Sequence, residues 1–113
     1  MKKLILVIKF ITMIGVDITS IKRFENKSDA FVKKVLSNDE YQEWLQVTNQ
    51  PLYLAQRWAI KEALFKANND LHDFSKVNLT RNQKGIFLFK NFKITTSKED
   101  DYVIAFVMEE KNE

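Results

Sequence analysis

The 113-residue sequence contains no cysteine and only one histidine, His72. The absence of cysteine excludes disulfide bonds and thiolate metal sites, and it makes a reducing compartment such as the cytoplasm acceptable. A single histidine excludes a multi-histidine zinc site, and a Ser–His catalytic pair would have to use His72, which we interpret as a loop residue. Candidate metal ligands are therefore sought among the carboxylates.

Glycine and proline are also scarce, with two residues and one residue respectively. No linker, repeat or low-complexity segment interrupts the chain, and we predict one domain over residues 1–113. A hydrophobic fraction of 45% with nine phenylalanines supplies a compact core. The net charge of +3 indicates an acidic partner or a phosphate ligand.

The sequence lacks an apolar run long enough to span a bilayer, and we predict no membrane association. The most apolar segment, MKKLILVIKFITMIG, has the basic head of a signal peptide. However, Lys9 interrupts the run and no small-residue cleavage site follows it. Because isoleucine and valine are dense here, the segment favours a buried strand over an export signal, and residues 4–18 are predicted to form one long strand or a strand pair.

Periodicity and end signals predict the remaining elements. Residues 20–36 combine apolar and basic positions with helical spacing. SNDE at 37–40 has the form of a capping box, and Pro51 suits the first turn of a helix that runs to about Ala67. The strand-like runs KVNLT, GIFLF, FKIT and DYVIAFVME follow. This order of strand, helices and strands predicts an α+β fold.

Glu62 occupies an unusual position in the long helix. On a helical wheel it falls among apolar residues such as Trp58 and Phe65. The residues left for a solvated edge are Gln56, Arg57 and Lys61. Glu62 either pairs with Lys66 four residues on, or it binds a metal ion such as Mg²⁺, which takes one or two protein carboxylates.

Asp17 is the candidate for a second carboxylate ligand. In a strand it shares a face with Gly15, where a ligand or a backbone can approach closely. The alternative is an aspartate at a strand end that caps a helix near residue 20. Together, Asp17 and Glu62 indicate a site for a metal-bound diphosphate. The lysines nearby are Lys61 and Lys66.

Two segments resemble the signature motifs of the 4′-phosphopantetheinyl transferases, specifically the small holo-[acyl-carrier-protein] synthase type. They are IGVDITSIKRF, which matches from Ile14 to Arg23, and RWAIKEALFKA, from Arg57 to Ala67. FVKKVLSNDE and DYVIAFVMEE are similar to further family segments in the same order. The resemblance implies an antiparallel sheet packed on a long central helix. The C-terminal half is shortened, because the family's helix after the turn at Lys84-Gly85-Ile86 is missing.

The same resemblance implies a reaction. Phosphopantetheine moves from coenzyme A to a serine of apo-acyl-carrier protein, and adenosine 3′,5′-bisphosphate is released. Asp17 and Glu62 match the family's Mg²⁺ ligands, and Lys66 matches its lysine near the phosphates. Arg57 and Lys61 match positions that line the coenzyme A site together with Lys66. Three candidates remain for the group that accepts the serine proton: Glu62, a water on the metal and Lys66.

The family likeness also implies partners. Arg23 matches the basic residue that faces the acidic carrier protein, and neighbouring cations form a stripe suited to steering it. These cations are Lys22, Lys27, Lys33 and Lys34. Chains of this length in the family form homotrimers with active sites at the subunit interfaces, and we expect no nucleic-acid partner.

Some family features are missing, which leaves two alternatives. NNDLHDFSKV replaces a glycine-rich loop, Met13 replaces the first glycine of the opening motif, and TTSKEDDY lacks the family's histidine. One alternative is a degenerate domain that binds carrier protein or coenzyme A without turnover. The other is a basic RNA-binding domain that stacks bases on aromatic rings. Those rings would be Phe87, Phe89 and Phe92.

Overall fold

The computed structural model describes residues 13–110. Three helices lie between one N-terminal strand and a C-terminal set of strands. In chain order the elements are β1 (Ile14–Ser20), α1 (Asp29–Val35), α2 (Asn38–Trp44), α3 (Gln50–Ala67), β2 (Thr80–Arg81), β3 (Phe87–Leu88), β4 (Phe92–Glu99) and β5 (Tyr102–Glu109). Short 3₁₀ turns occupy Lys22–Phe24 and Phe74–Lys76. The observed order matches the predicted strand, helices and strands.

Strand β1 begins at Ile14, so the first part of the strand predicted over residues 4–18 lies outside the described residues. It pairs with β5, which also pairs with β4, and both pairings are antiparallel. Side chains alternate between the two sheet faces, as the pleat requires. The inner face packs on α3, and the outer face exposes apolar side chains. These side chains are Ile14, Val16, Ile18, Tyr102, Ile104, Phe106 and Met108.

Helix α3 is the centre of the fold. Its start is fixed by Asn49, whose side chain accepts a hydrogen bond from the Leu52 amide at 3.1 Å, and by Pro51 in the first turn. It ends at Ala67, where Asn68 leaves the helical conformation, as predicted. Because the sheet and the smaller helices surround it, α3 buries residues on most of its circumference.

Gly15 allows α3 to cross β1 at very short range. A Cβ atom at this position would lie 1.8 Å from the carbonyl oxygen of Ala63 and 3.1 Å from the amide nitrogen of Ala67. Only a residue without a side chain fits there. The close approach anticipated at Gly15 is therefore real, and the group that approaches is the helix backbone. It brings the inner face of β1, including Asp17, against the helix that carries Glu62.

The predicted helical segment at 20–36 is shorter than expected. Regular helix begins only at Asp29, because Asn26 has a positive φ of 55° that interrupts any helix from residue 20. Ser28 then caps α1 by accepting a hydrogen bond from the Phe31 amide at 3.2 Å. The capping box at Ser37 and Glu40 is present as predicted and starts α2.

The C-terminal half is compact, as the sequence indicated. Between residues 77 and 91, all of which are described, the chain forms the β2–β3 hairpin and no helix. Within residues 13–110, none of the helices has the length and apolar character needed to cross a bilayer.

Candidate active site

Strand β1 and helix α3 bring Asp17, Glu62 and Lys66 together. The Lys66 ammonium lies 3.3 Å from Asp17 Oδ1 and donates a hydrogen bond to the Val16 carbonyl at 2.9 Å. Asp17 is 15% exposed and Lys66 52% exposed, so the cluster opens to solvent on one side. The two carboxylates singled out from the sequence therefore face one site, although they are 45 residues apart in the chain.

The two carboxylates influence each other electrostatically. Partial burial raises the pKa of Glu62, and the negative charge of Asp17 raises it further. The positive charges of Lys66 and Arg23 act in the opposite direction. A cation placed between the two carboxylates would relieve their repulsion.

The donor set fits a hard cation that is shared with a ligand. In the part of the chain that the structure describes, no group of three or more His, Cys, Asp or Glu side chains could hold a metal ion. A pair of carboxylates is nevertheless the usual protein contribution to Mg²⁺, which fills its remaining positions with water and substrate phosphates. Asp17 and Glu62 therefore suit Mg²⁺ over a diphosphate better than a metal held by the protein alone.

Arg23 lies at the edge of this site. Its guanidinium carbon is 4.8 Å from the centre of the Trp58 ring and 5.4 Å from that of Phe24, which are distances of cation–π contacts. Trp58 lies one helical turn before Glu62. Lys22 and Lys27 are exposed on the neighbouring segment. Of the three predicted docking residues, Arg23 is the one whose charge acts on Glu62, and Lys27 contacts the ring of Phe31 with its ammonium 5.0 Å from the ring centre.

A groove runs beside Glu62 between α1, α3 and the turn at 74–76, and we call it the aromatic groove. It encloses about 700 Å³, and its lining combines aromatic side chains with charged and polar ones. The residues that form it include Phe31, Lys33, Lys34, Val35, Trp58, Glu62, Phe65 and Phe74. His72 also lines this groove as an exposed loop residue, consistent with its interpretation from the sequence.

Arg57 does not lie on a solvated edge, and that prediction was wrong. Its side chain is 3% exposed, and its guanidinium carbon lies 3.5 Å from the centre of the Tyr53 ring and 4.9 Å from that of Phe87. Aromatic stacking explains how the charge is tolerated, and burial lowers the pKa of Arg57. Within residues 13–110 no carboxylate forms an ion pair with it, and its buried Nε has no hydrogen-bond partner. Arg57 and Arg81 line a second pocket.

Lys61 was also wrongly placed on the solvated edge. It is fully buried, with its ammonium 2.5 Å from Glu40 Oε1 and within hydrogen-bond distance of the Val35 and Phe74 carbonyl oxygens. Its aliphatic stem packs through the core, while Glu40 compensates the charge. Helical periodicity could not reveal this, because the partner lies 21 residues away in the chain.

The residues predicted to bind the cofactor consequently lie in three different environments. Lys66 joins Asp17 and Glu62, Lys61 is in the core, and Arg57 lines the second pocket. Five residues of α-helix correspond to a rotation of about 140° between Arg57 and Glu62. Arg57 and Glu62 therefore face nearly opposite sides of α3.

A model of the 4′-phosphopantetheinyl transferase superfamily matches residues 13–107, which is most of the chain. This chain belongs to the 4′-phosphopantetheinyl transferase superfamily. Its similar relatives include the holo-[acyl-carrier-protein] synthase of Mycoplasmopsis pulmonis, with 52% identity over 84% of this chain and 87% of the relative. The corresponding enzyme of Mycoplasma mobile is 48% identical over 89% of this chain and 92% of the relative.

Solved structures agree with this membership. The holo-[acyl-carrier-protein] synthase of Neisseria meningitidis superposes with a TM-score of 0.76 at 28% identity, covering 88% of this chain and 98% of that one. The Bacillus anthracis enzyme, solved in complex with coenzyme A (3′,5′-ADP), gives a TM-score of 0.77 at 22% identity, covering 88% and 96%. The predicted α+β transferase fold and the holo-[acyl-carrier-protein] synthase type are thus confirmed, and the chain is an enzyme, a phosphopantetheinyl transferase.

Proposed function

We propose that this phosphopantetheinyl transferase uses Mg²⁺ to move 4′-phosphopantetheine from coenzyme A to a serine of apo-acyl-carrier protein. The serine oxygen forms a bond to the β-phosphorus, the diphosphate bridge breaks, and adenosine 3′,5′-bisphosphate leaves. The serine proton passes to a base, for which the candidates are Glu62, water and Lys66. The proposal depends above all on one observation, the meeting of Asp17 and Glu62 beside Lys66.

The chain's own residues hold and orient the reacting groups. Asp17 and Glu62 would hold Mg²⁺, which when bound supplies positive charge to a diphosphate. Lys66 is fixed along β1 by the Val16 carbonyl, and from there its ammonium can stabilise charge that develops on the phosphates. Phosphoryl transfer needs positioning and charge neutralisation more than a protein nucleophile, and here the nucleophile belongs to the partner.

The surroundings of the carboxylate pair suit the two substrates. The aromatic groove suits the uncharged pantetheine arm, because its lining includes several aromatic side chains and Glu62 lies at its side. The cations Lys22, Arg23 and Lys27 suit an acidic carrier protein. With Arg23 stacked on Trp58, the carrier would dock next to the site where its serine must react.

Arg57 supports a site shared between copies of the chain. Its buried guanidinium has no ion-pair partner within residues 13–110, so an anionic group of coenzyme A is a suitable complement. It faces away from Glu62 on the same helix, and a neighbouring copy can supply it more easily than the same chain can. The apolar outer face of the sheet offers a surface for this association, and we propose a cytoplasmic homotrimer with interfacial active sites.

Mass spectrometry tests the reaction directly. The protein is incubated with apo-acyl-carrier protein, coenzyme A and Mg²⁺, and the carrier is examined for added phosphopantetheine. Turnover should be lost on chelation and in the variants Asp17→Asn and Glu62→Gln, whereas Glu99→Gln, on exposed β4, should behave as wild type. Binding of coenzyme A or carrier without any mass gain would instead indicate a non-catalytic domain. Salt-sensitive RNA binding without a response to coenzyme A would also contradict the proposal.

A further inference from the structure

Lys61 connects three separate segments of the chain to the middle of α3. Its ammonium donates to the Val35 carbonyl at 2.8 Å, to the Phe74 carbonyl at 2.9 Å and to Glu40 Oε1 at 2.5 Å. An ammonium group has three hydrogens, so these contacts use its whole donor capacity. No donor is left for a phosphate of coenzyme A while this arrangement persists.

Glu40 extends the same network to two further backbone groups. Its Oε1 also accepts from the Ser37 amide at 2.8 Å, and its Oε2 accepts from the Leu79 amide at 3.0 Å. The side chains of Lys61 and Glu40 are 0% and 1% exposed. One buried ion pair thus fixes the end of α1, the start of α2, the turn at 74–76 and the chain entering β2 relative to α3.

A buried ion pair is weak evidence for stability. Buried ion pairs are often replaceable by apolar side chains without loss of stability, because desolvation offsets most of the Coulomb attraction. What such a pair does supply is a defined relative position for the groups that it joins. The question is therefore which positions Lys61 defines.

The two backbone carbonyls bound by Lys61 belong to two different elements that wall the aromatic groove. Val35 ends α1 on one wall and Phe74 opens the 3₁₀ turn on the other, and both line the groove. The base between them is α3 itself, which contributes Trp58, Glu62 and Phe65. The two hydrogen bonds that Lys61 donates from within therefore tie both of these walls to α3 beside Glu62.

We propose that Lys61 is a positioning residue for the transfer reaction and makes no direct contact with coenzyme A. It holds the two walls of the aromatic groove at the spacing that the pantetheine arm requires beside Glu62. This inference rests on the proposed function. It reassigns Lys61 from lining the coenzyme A site to fixing the shape of that site from the core.

The test compares ligands with and without the pantetheine arm. The double variant Lys61→Met/Glu40→Gln removes one positive and one negative charge, so that no unpaired buried charge remains. The ligands are coenzyme A and adenosine 3′-phosphate 5′-diphosphate, which carries every phosphate of coenzyme A but no pantetheine. Lys84→Met, at an exposed lysine of the β2–β3 turn, is the matched control.

We expect the double variant to have a kcat/KM for coenzyme A that is lower on the order of 100-fold, with a raised KM. Misplacement of a substrate by about 1 Å relative to the reacting groups has an effect of this size. Its Kd for adenosine 3′-phosphate 5′-diphosphate should stay within about twofold of the wild-type value, because the substitutions leave the contacts to the phosphates unchanged. Lys61→Gln/Glu40→Gln, which also leaves no unpaired buried charge and retains two donors at position 61, should show the same split with a smaller loss.

Three results would overturn the inference. Equal losses of affinity for both ligands would make Lys61 a direct phosphate ligand. A lower Tm with unchanged KM and kcat would make it purely structural, as would failure of both variants to fold. Absence of turnover in the wild-type protein would instead refute the proposed function, so the two failures are distinguishable.

Discussion

Substitution of Gly15 by alanine tests the contact that brings the two carboxylates together. The added methyl group would lie 1.8 Å from the Ala63 carbonyl oxygen and 2.8 Å from the Ala63 carbonyl carbon. Both atoms belong to the helix backbone and cannot rotate away as a side chain could. Either β1 or α3 must therefore move.

The size of that movement follows from the contact distance. Restoring an ordinary separation of 3.4 Å requires a retreat of about 1.6 Å along the line of contact. Asp17 is two residues from Gly15 on the same strand face, and Glu62 is next to Ala63, so their carboxylates separate by a comparable amount. Because Mg²⁺ demands oxygens at about 2.0–2.1 Å in near-octahedral geometry, one ion could no longer bind both carboxylates well.

We expect Gly15→Ala to lower kcat/KM on the order of 100-fold and to raise the Mg²⁺ concentration needed for half-maximal turnover. Overpacking should also cost about 1–3 kcal/mol of unfolding free energy. The measurements are phosphopantetheine transfer over a range of Mg²⁺ concentrations and urea denaturation of the same samples.

Gly85→Ala provides the control, since it adds the same methyl group at the only other glycine. Its nearest contact would be the flexible Arg81 side chain at 3.6 Å, and the strain arises from the positive φ of 82°. That strain should cost about 1–2 kcal/mol without changing the Mg²⁺ requirement. If folded Gly15→Ala keeps the wild-type Mg²⁺ dependence and rate, the reasoning about the shared metal site is wrong.

Further expectations concern docking, assembly and the helix cap. Arg23→Glu should raise the KM for carrier protein about tenfold and leave the Kd for coenzyme A unchanged, and equal effects on both would contradict the docking role. The variants Arg57→Met and Glu62→Gln should each be inactive. If each site takes these two residues from different copies of a trimer, an equal mixture of the two variants should restore about a quarter of wild-type turnover. If both residues of a site come from one chain, the mixture should recover no turnover. Ser37→Ala should lower the unfolding free energy by about 1 kcal/mol in urea titration, because it removes the cap on the Glu40 amide, and Ser37→Thr should retain most of it.

The parts of the fold that could be predicted were those governed by local chemistry. The capping box at Ser37 and Glu40, Pro51 in the first turn of α3 and the stop at Asn68 each depend on a few neighbouring residues. The extent of α1 was not predictable from period alone. The positive φ of Asn26, which separates the 3₁₀ turn from the helix, leaves no mark in the spacing of apolar and basic residues.

The residues of the candidate site also fall into those that the sequence placed correctly and those that it did not. Asp17 and Glu62 stood out because a carboxylate in an apolar surrounding needs a partner, and the structure brings both to one site. Lys61 and Arg57 were assigned to solvent because charge is normally exposed. Their burial depends on Glu40 and on the rings of Tyr53 and Phe87, and contacts of that kind are set by tertiary packing.

Helix α3 explains why a single copy of this chain is an incomplete catalyst under the proposed function. One side of the helix carries Glu62 and Lys66 toward Asp17, and the side nearly opposite carries Arg57 into its own pocket. A rigid helix cannot turn both sides toward one ligand. Coenzyme A would therefore have to be held by Glu62 of one copy and Arg57 of another, and the apolar outer face of the sheet gives the copies a reason to associate. On this reasoning the guanidinium of Arg57, which has no ion-pair partner within residues 13–110, is completed by coenzyme A bound to a neighbouring copy.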